Sequence, residues 1–239
     1  MHSYYSDNRK KFRKEMNSYL SLIQEELTTE TGQNYNDLFE QIWTVYQQQM
    51  LEYFPFIGGD QSSGTRNLTG AFMFVAMGEV LRHNYGISLE KWGWLTTLCY
   101  QRFFDRIPSF LASAAGKLFR HTGLVNAMLK KKDRKNAENA EKYPGSFETR
   151  TQQPTEEYPA NYHTLVCPLA NFAREYGYME YMPYICNLDY VMFEKMKVPF
   201  YREHTYADGD GYCDFKMKAG AQVNSSWPCH QLTEGDPLK

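Results

Sequence analysis

The apolar period of this chain changes partway along, and a fold of one secondary-structure class cannot accommodate both halves. Leu38, Ile42, Tyr46 and Met50 recur every four residues, Phe39 and Trp43 widen the stripe, and Leu20, Ile23 and Leu27 mark an earlier face of the same kind. That spacing lines one side of a helix. After residue 160 the pattern shortens: "NYHTLVC" and "YCDFKMK" are brief runs bounded by Gly- and Pro-bearing segments, as strands are. The expectation is an α+β fold, a helical N-terminal half packed with a C-terminal antiparallel sheet carrying strand, helix, helix and hairpin. The expected divisions are a helical region 1–130, a charged linker and loop 131–160, and an α+β module 161–239.

Punctuation residues refine this. "FPFIGGDQSSGTRNLTG" reads as a loop, the next helix closes at Gly86, and Ser88 caps another. "SFLASAAGKLFRHTG" places Leu111, Ala114 and Leu118 on one helix face and closes at Gly123. The run 130–142, "KKKDRKNAENAEK", reads as a solvated helix end or mobile linker. Cys167 stands at an N-cap with Pro168 at the first helical position, Gly177 closes that helix, and a second starts near Pro183. "PFYREHTYA" alternates as a strand, "DGDG" is its turn, and the tail after Gly220 reads as loop.

Composition excludes some functions. A net charge of -2 lacks the electrostatic footprint of a nucleic-acid binder. No apolar run approaches the roughly 18 residues of a membrane span. The first residues are polar and basic without an apolar core, and the five cysteines are odd in number with no Cys-x-x-Cys. Free thiols in a cytoplasmic protein are therefore expected. The expected partner is a small molecule, and a homo-oligomer is left open.

The chemical signals centre on cysteines. Cys167 at a helix N-cap faces unpaired amides that favour an anion, so its thiol pKa is expected to fall; a small buried residue at a strand–helix junction is the alternative. Cys186 and Asp189 are three apart and share a helix face with Tyr190 and Phe193. By alternation Cys213, Phe215 and Met217 face one way and Tyr212, Asp214 and Lys216 the other, making Cys213 a core residue and Asp214 solvated. His163 precedes Cys167 by four residues, and His204 lies in the next expected strand. Three cysteines and a histidine are the residue types of a tetrahedral zinc site, but their gaps are long, so no cofactor is expected and zinc is the minority alternative. "DGDG" lacks two oxygen ligands of a calcium loop, at Tyr212 and Ala219.

Taken in order, "CPLA", "CNLD", "REHT" and "GDGYCDF" resemble the C-terminal signature of the L-2-amino-thiazoline-4-carboxylic acid hydrolase family over residues 166–218. The ending is also distantly similar to 4-vinyl reductase-type small-molecule-binding domains, which implies the rival function of a non-catalytic sensor. The first resemblance implies a hydrolase that opens a cyclic amidine ring with water to give a carbamoyl-cysteine product. It implies Cys167 as nucleophile, Asp189 as amidinium partner or general base with Cys186 beside it, and Arg202 as clamp on the substrate carboxylate. Cys213, Asp214 and His163 are expected near the substrate. The chain departs from the signature at Leu165-Val166 and at Glu203.

Overall fold

A computed structural model describes residues 1–119 and 121–217. The expected loop after Gly220, together with Cys229, lies outside the described residues. The chain divides into two compact units, Met1–Phe103 and a second beginning at Phe104.

The first unit is helical. Its elements are α1 (Ser3–Asp7), α2 (Arg9–Leu20), α3 (Gln24–Thr31), α4 (Tyr35–Val45), α5 (Ser63–Tyr85) and all but the last two residues of α6 (Leu89–Asp105). Leu20, Ile23, Leu27, Leu38, Ile42, Tyr46 and Met50 are all fully buried, as their spacing requires. A π-helical segment, Tyr46–Leu51, extends α4 and keeps both Tyr46 and Met50 inside. The expected loop through residue 70 is shorter than its composition suggests. Ser62 accepts the Gly64 N–H and starts α5 at Ser63, and Thr65, Leu68 and Thr69 in its first turns are buried. Gly86 closes α5 with φ 67°, and Ser88 accepts the Lys91 N–H at the start of α6.

The second unit is the α+β part: α7 (Ser109–Leu118), α8 (Thr122–Lys142), β1 (Glu148–Thr151), β2 (Ala160–Val166), α9 (Pro168–Tyr176), α10 (Met182–Lys195), β3 (Phe200–Tyr201) and β4 (Cys213–Met217). The strands form one sheet in the order β1-β2-β4-β3, with every neighbouring pair antiparallel. Val125 of α8 and Tyr190 and Phe193 of α10 pack with Ala160, Tyr162, Phe200 and Met217 of the sheet in one core cluster.

Three expectations are corrected here. The expected linker 131–160 contains the second half of α8 and all of β1. Asp133 is the reason: its carboxylate accepts from Thr149 Oγ1 (2.7 Å), Thr151 N (2.6 Å) and Thr151 Oγ1 (2.5 Å), which fastens the charged helix to the sheet edge. Gly123 lies inside the first turn of α8 instead of closing α7, and Leu111 of α7 is exposed. The alternating run "PFYREHTYA" is a strand over only Phe200–Tyr201, because the chain then folds across its neighbour. Among the described residues no helix is long and apolar enough to cross a membrane.

Candidate functional site

Register decides which side chains meet. Tyr162 lies opposite Phe215 and Thr164 opposite Cys213, while His163 lies opposite Asp214 and Asn161 opposite Lys216. Residues paired across antiparallel strands point the same way. Tyr162 and Met217 pack with α8 and α10, so Cys213 lies on the helix-covered face. Asp214 and His163 lie on the other. Adjacent in sequence, Cys213 and Asp214 do point apart.

On the helix-covered face, Arg202 is already committed. Its side chain is 2% exposed, and Nη2 donates to Asp189 Oδ2 at 2.5 Å. Nη1 donates to the Cys186 carbonyl at 3.0 Å and Nε to the Asp214 carbonyl at 3.3 Å. The guanidinium carbon sits 4.2 Å from the Phe215 ring centroid and 5.0 Å from that of Phe200. Burial alone would lower the Arg202 pKa, but the Asp189 carboxylate and its neighbours hold it above the ordinary value. The expected carboxylate-clamp role therefore does not suit Arg202: its fork is spent on protein acceptors and its surface is closed. What Arg202 does is fix Asp189, whose side chain remains 36% exposed.

Cys167 is the N-cap of α9, as expected, with Pro168 at the first position. Its thiol is nevertheless pushed up to about 12, because burial outweighs the pull of the Leu169 and Ala170 amides, and no capping hydrogen bond forms. The expected drop is thus reversed: a helix terminus favours a thiolate only where the ion keeps some hydration. Burial also raises Cys186 and Cys213, and Cys213 Sγ accepts the Tyr206 N–H at 3.3 Å. The charge of a Cys213 thiolate would raise both Cys167 and Cys186, so the three thiols share one neighbourhood. Among the described residues no group of three or more His, Cys, Asp and Glu side chains is placed to hold a metal. A cleft of about 440 Å³ is lined by Arg174, Met179, Glu180, Tyr206, Ala207 and Gly209; Tyr206, whose N–H binds Cys213, links it to this face, but no thiol lines it.

On the other face Asp214 is 1% exposed, not solvated as alternation predicts. The segment after β3 folds over it, and Asp214 Oδ1 accepts the N–H groups of Glu203 (2.9 Å) and His204 (2.7 Å), with Lys216 Nζ 2.9 Å from Oδ2. Burial would raise its pKa; the His204 amide, Lys216 and the Glu203 amide outweigh that and lower it. A carboxyl lowered on folding contributes stability above its unfolded value of about 3.9 and loses it as pH falls through the folded value. Asp214→Asn is expected to cost roughly 1–3 kcal/mol at neutral pH. It should also flatten the loss of stability below about pH 4. Urea unfolding at pH 7 and pH 3 checks both, and parallel pH profiles for the two proteins would contradict this role. His163 stacks on Tyr212 at 4.6 Å, away from the cysteines, so neither His163 nor Asp214 joins the thiol face.

The structure brings together Cys167, Cys186, Asp189, Arg202 and Cys213. It adds residues that motif reading passed over. Tyr162 stacks on Phe215 with centroids 4.5 Å apart, and Lys132 Nζ lies 4.2 Å from the Tyr162 centroid. A signal for Lys132 was present: Val125, Leu129, Lys132 and Asn136 follow a four-three-four spacing, one helix face, and Val125 and Asn136 are buried.

Residues 102–217 match the family described as L-2-amino-thiazoline-4-carboxylic acid hydrolase. No curated protein and no solved structure matches the chain.

Proposed function

Because residues 102–217 belong to the L-2-amino-thiazoline-4-carboxylic acid hydrolase family, we propose that this chain opens the ring of a cyclic amidine carboxylate by adding water. The observation that carries the reading is the convergence of Cys167, Cys186, Cys213 and the Arg202–Asp189 pair, from separate elements of the matched segment, on one face of the sheet.

The chemistry follows from those side chains. A cyclic amidine is a cation when protonated, and its carbon between nitrogen and sulfur is the electrophile. The exposed part of Asp189 is the partner for that cation, and Arg202 holds its carboxylate in place. The oxygen of water bonds to the amidine carbon, Asp189 takes its proton, and the ring carbon–sulfur bond breaks. The proton then passes to the departing sulfur, the extra proton of the amidinium is released to solvent, and a carbamoyl group and a free thiol remain. Direct attack by water suits a Cys167 thiol held at about 12, since no thiolate is required. Attack by Cys167 would need Asp189 to remove the thiol proton first.

The test is mass spectrometry of thiazoline and cyclic amidine carboxylates incubated with the protein, with and without chelator. The expected product is heavier by one water and carries a new thiol. Its persistence in Cys167→Ser assigns the attack to water, and its loss in a folded Cys167→Ser variant assigns it to the thiol. No product from any substrate would overturn the hydrolase reading in favour of a non-catalytic binding domain.

A further inference from the structure

Among the described residues two cations flank the stacked rings of the helix-covered face, and the hydrolytic reading uses one. Arg202 and Lys132 flank a pair of stacked rings: the guanidinium carbon is 4.2 Å from the Phe215 centroid, Phe215 is 4.5 Å from Tyr162, and Lys132 Nζ is 4.2 Å from Tyr162. Arg202 is closed and fully bonded. Lys132 differs on both counts. The residue as a whole is exposed although its ammonium is crowded against the Tyr162 ring, and among the described residues it forms no ion pair.

Its position is set by its helix, not by its own contacts. The neighbouring Asp133 fastens α8 to β1 through Thr149 and Thr151, and Asn136 adds a bond to Thr149 Oγ1 at 2.9 Å. Val125 and Leu129, on the same side of α8, pack into the core cluster that contains Tyr162. Lys132 is thereby aimed over the β2 strand. Asp189 stands on α10, which packs on the same face of the sheet.

A cyclic amidine carboxylate presents three features: a cationic amidine, a flat ring containing sulfur, and an anionic carboxylate. The helix-covered face presents a partly exposed carboxylate at Asp189 and the ammonium of Lys132, which lies over the buried Tyr162 ring beside Phe215. We propose that Lys132 binds the carboxylate of the substrate while Asp189 binds its amidinium. This inference rests on the ring-opening reading for the identity of the ligand. Two features of Lys132 agree with it. Crowding around the ammonium lowers its pKa against the pull of Asp189 and Asp133, so a counter-ion would recover lost charge stabilisation. An ammonium above a ring also retains free N–H donors for an anion.

The experiment compares wild type, Lys132→Met and Lys132→Arg on 2-amino-thiazoline-4-carboxylate and on 2-amino-thiazoline, which lacks the carboxylate. Lys132→Met should raise KM for the carboxylate substrate roughly 10- to 100-fold, the range for one charged hydrogen bond. It should change kcat little, leave the ring that lacks the carboxylate unaffected, and be partly rescued by Lys132→Arg. Equal losses on both substrates would make Lys132 structural and overturn the proposal. A second readout is binding of thiazolidine-4-carboxylate, measured by calorimetry against thiazolidine. If wild type turns over no cyclic amidine, the hydrolase reading fails. Binding of the carboxylate that is lost in Lys132→Met and kept in Lys132→Arg would still uphold the Lys132 site. Binding indifferent to Lys132, or no binding at all, overturns it.

Discussion

Arg202→Met is expected to destabilise the unit that begins at Phe104 by about 3–5 kcal/mol, the range for breaking a buried charge pair. The guanidinium is 2% exposed and serves the Asp189 carboxylate and the carbonyls of Cys186 and Asp214. Methionine fills much of the volume but supplies no donor, so two carbonyls and a carboxylate lose their partner together. Asp189 is partly exposed and regains some hydration, which places the expectation toward the lower end of that range. Arg202→Lys should recover only part of the loss, because a point charge cannot reach acceptors spread around a planar fork. Urea unfolding of both variants measures this. A loss below about 1 kcal/mol, the range of an exposed ion pair, would contradict the assignment of Arg202 as the strut of this face.

Asp189→Asn is the counterpart for activity. Its expected effect is a fall in turnover of about 10²- to 10⁴-fold, the usual contribution of a positioned acid–base group. Asparagine retains an oxygen for Arg202 Nη2, so the fold should persist with a modest fall in midpoint. It offers no charge to an amidinium and takes no proton from water. Turnover and thermal unfolding measured on the same preparation separate the two effects. Activity within tenfold of wild type would remove Asp189 from the chemistry and direct attention to the thiols.

Each pattern that was legible in the sequence has a short physical range. The four-residue repeat from Leu38 to Met50 survives as a buried stripe because helical period is local. Pro168 after Cys167 marks a helix start, and Gly177 a helix end at φ 83°, since backbone geometry at each position permits little else. The opposite orientation of Cys213 and Asp214 follows from strand pleat alone. The ordered Cys, Asp and Arg signature pointed to residues that do converge, except that Asp214 and His163 occupy the far face.

Other features depended on partners distant along the chain. Asp214 is buried because Glu203 and His204 fold over it and donate their amides, an arrangement that alternation cannot contain. The charged run around Lys132 reads as solvent-facing until Thr149 and Thr151 supply ligands for Asp133 and fasten the helix to the sheet. Cys167 has the sequence position of an activated thiol, but the packing around it pushes the thiol up. Sequence alone therefore determined the class of fold, the boundaries set by glycine and proline, and which residue types the matched segment holds. Tertiary structure alone decided which of those residues are solvated, because desolvation and ion pairing depend on groups that meet only when the chain has folded. That is why Arg202 became a strut, Asp189 stayed partly exposed, and the Lys132 ammonium came to lie over the Tyr162 ring.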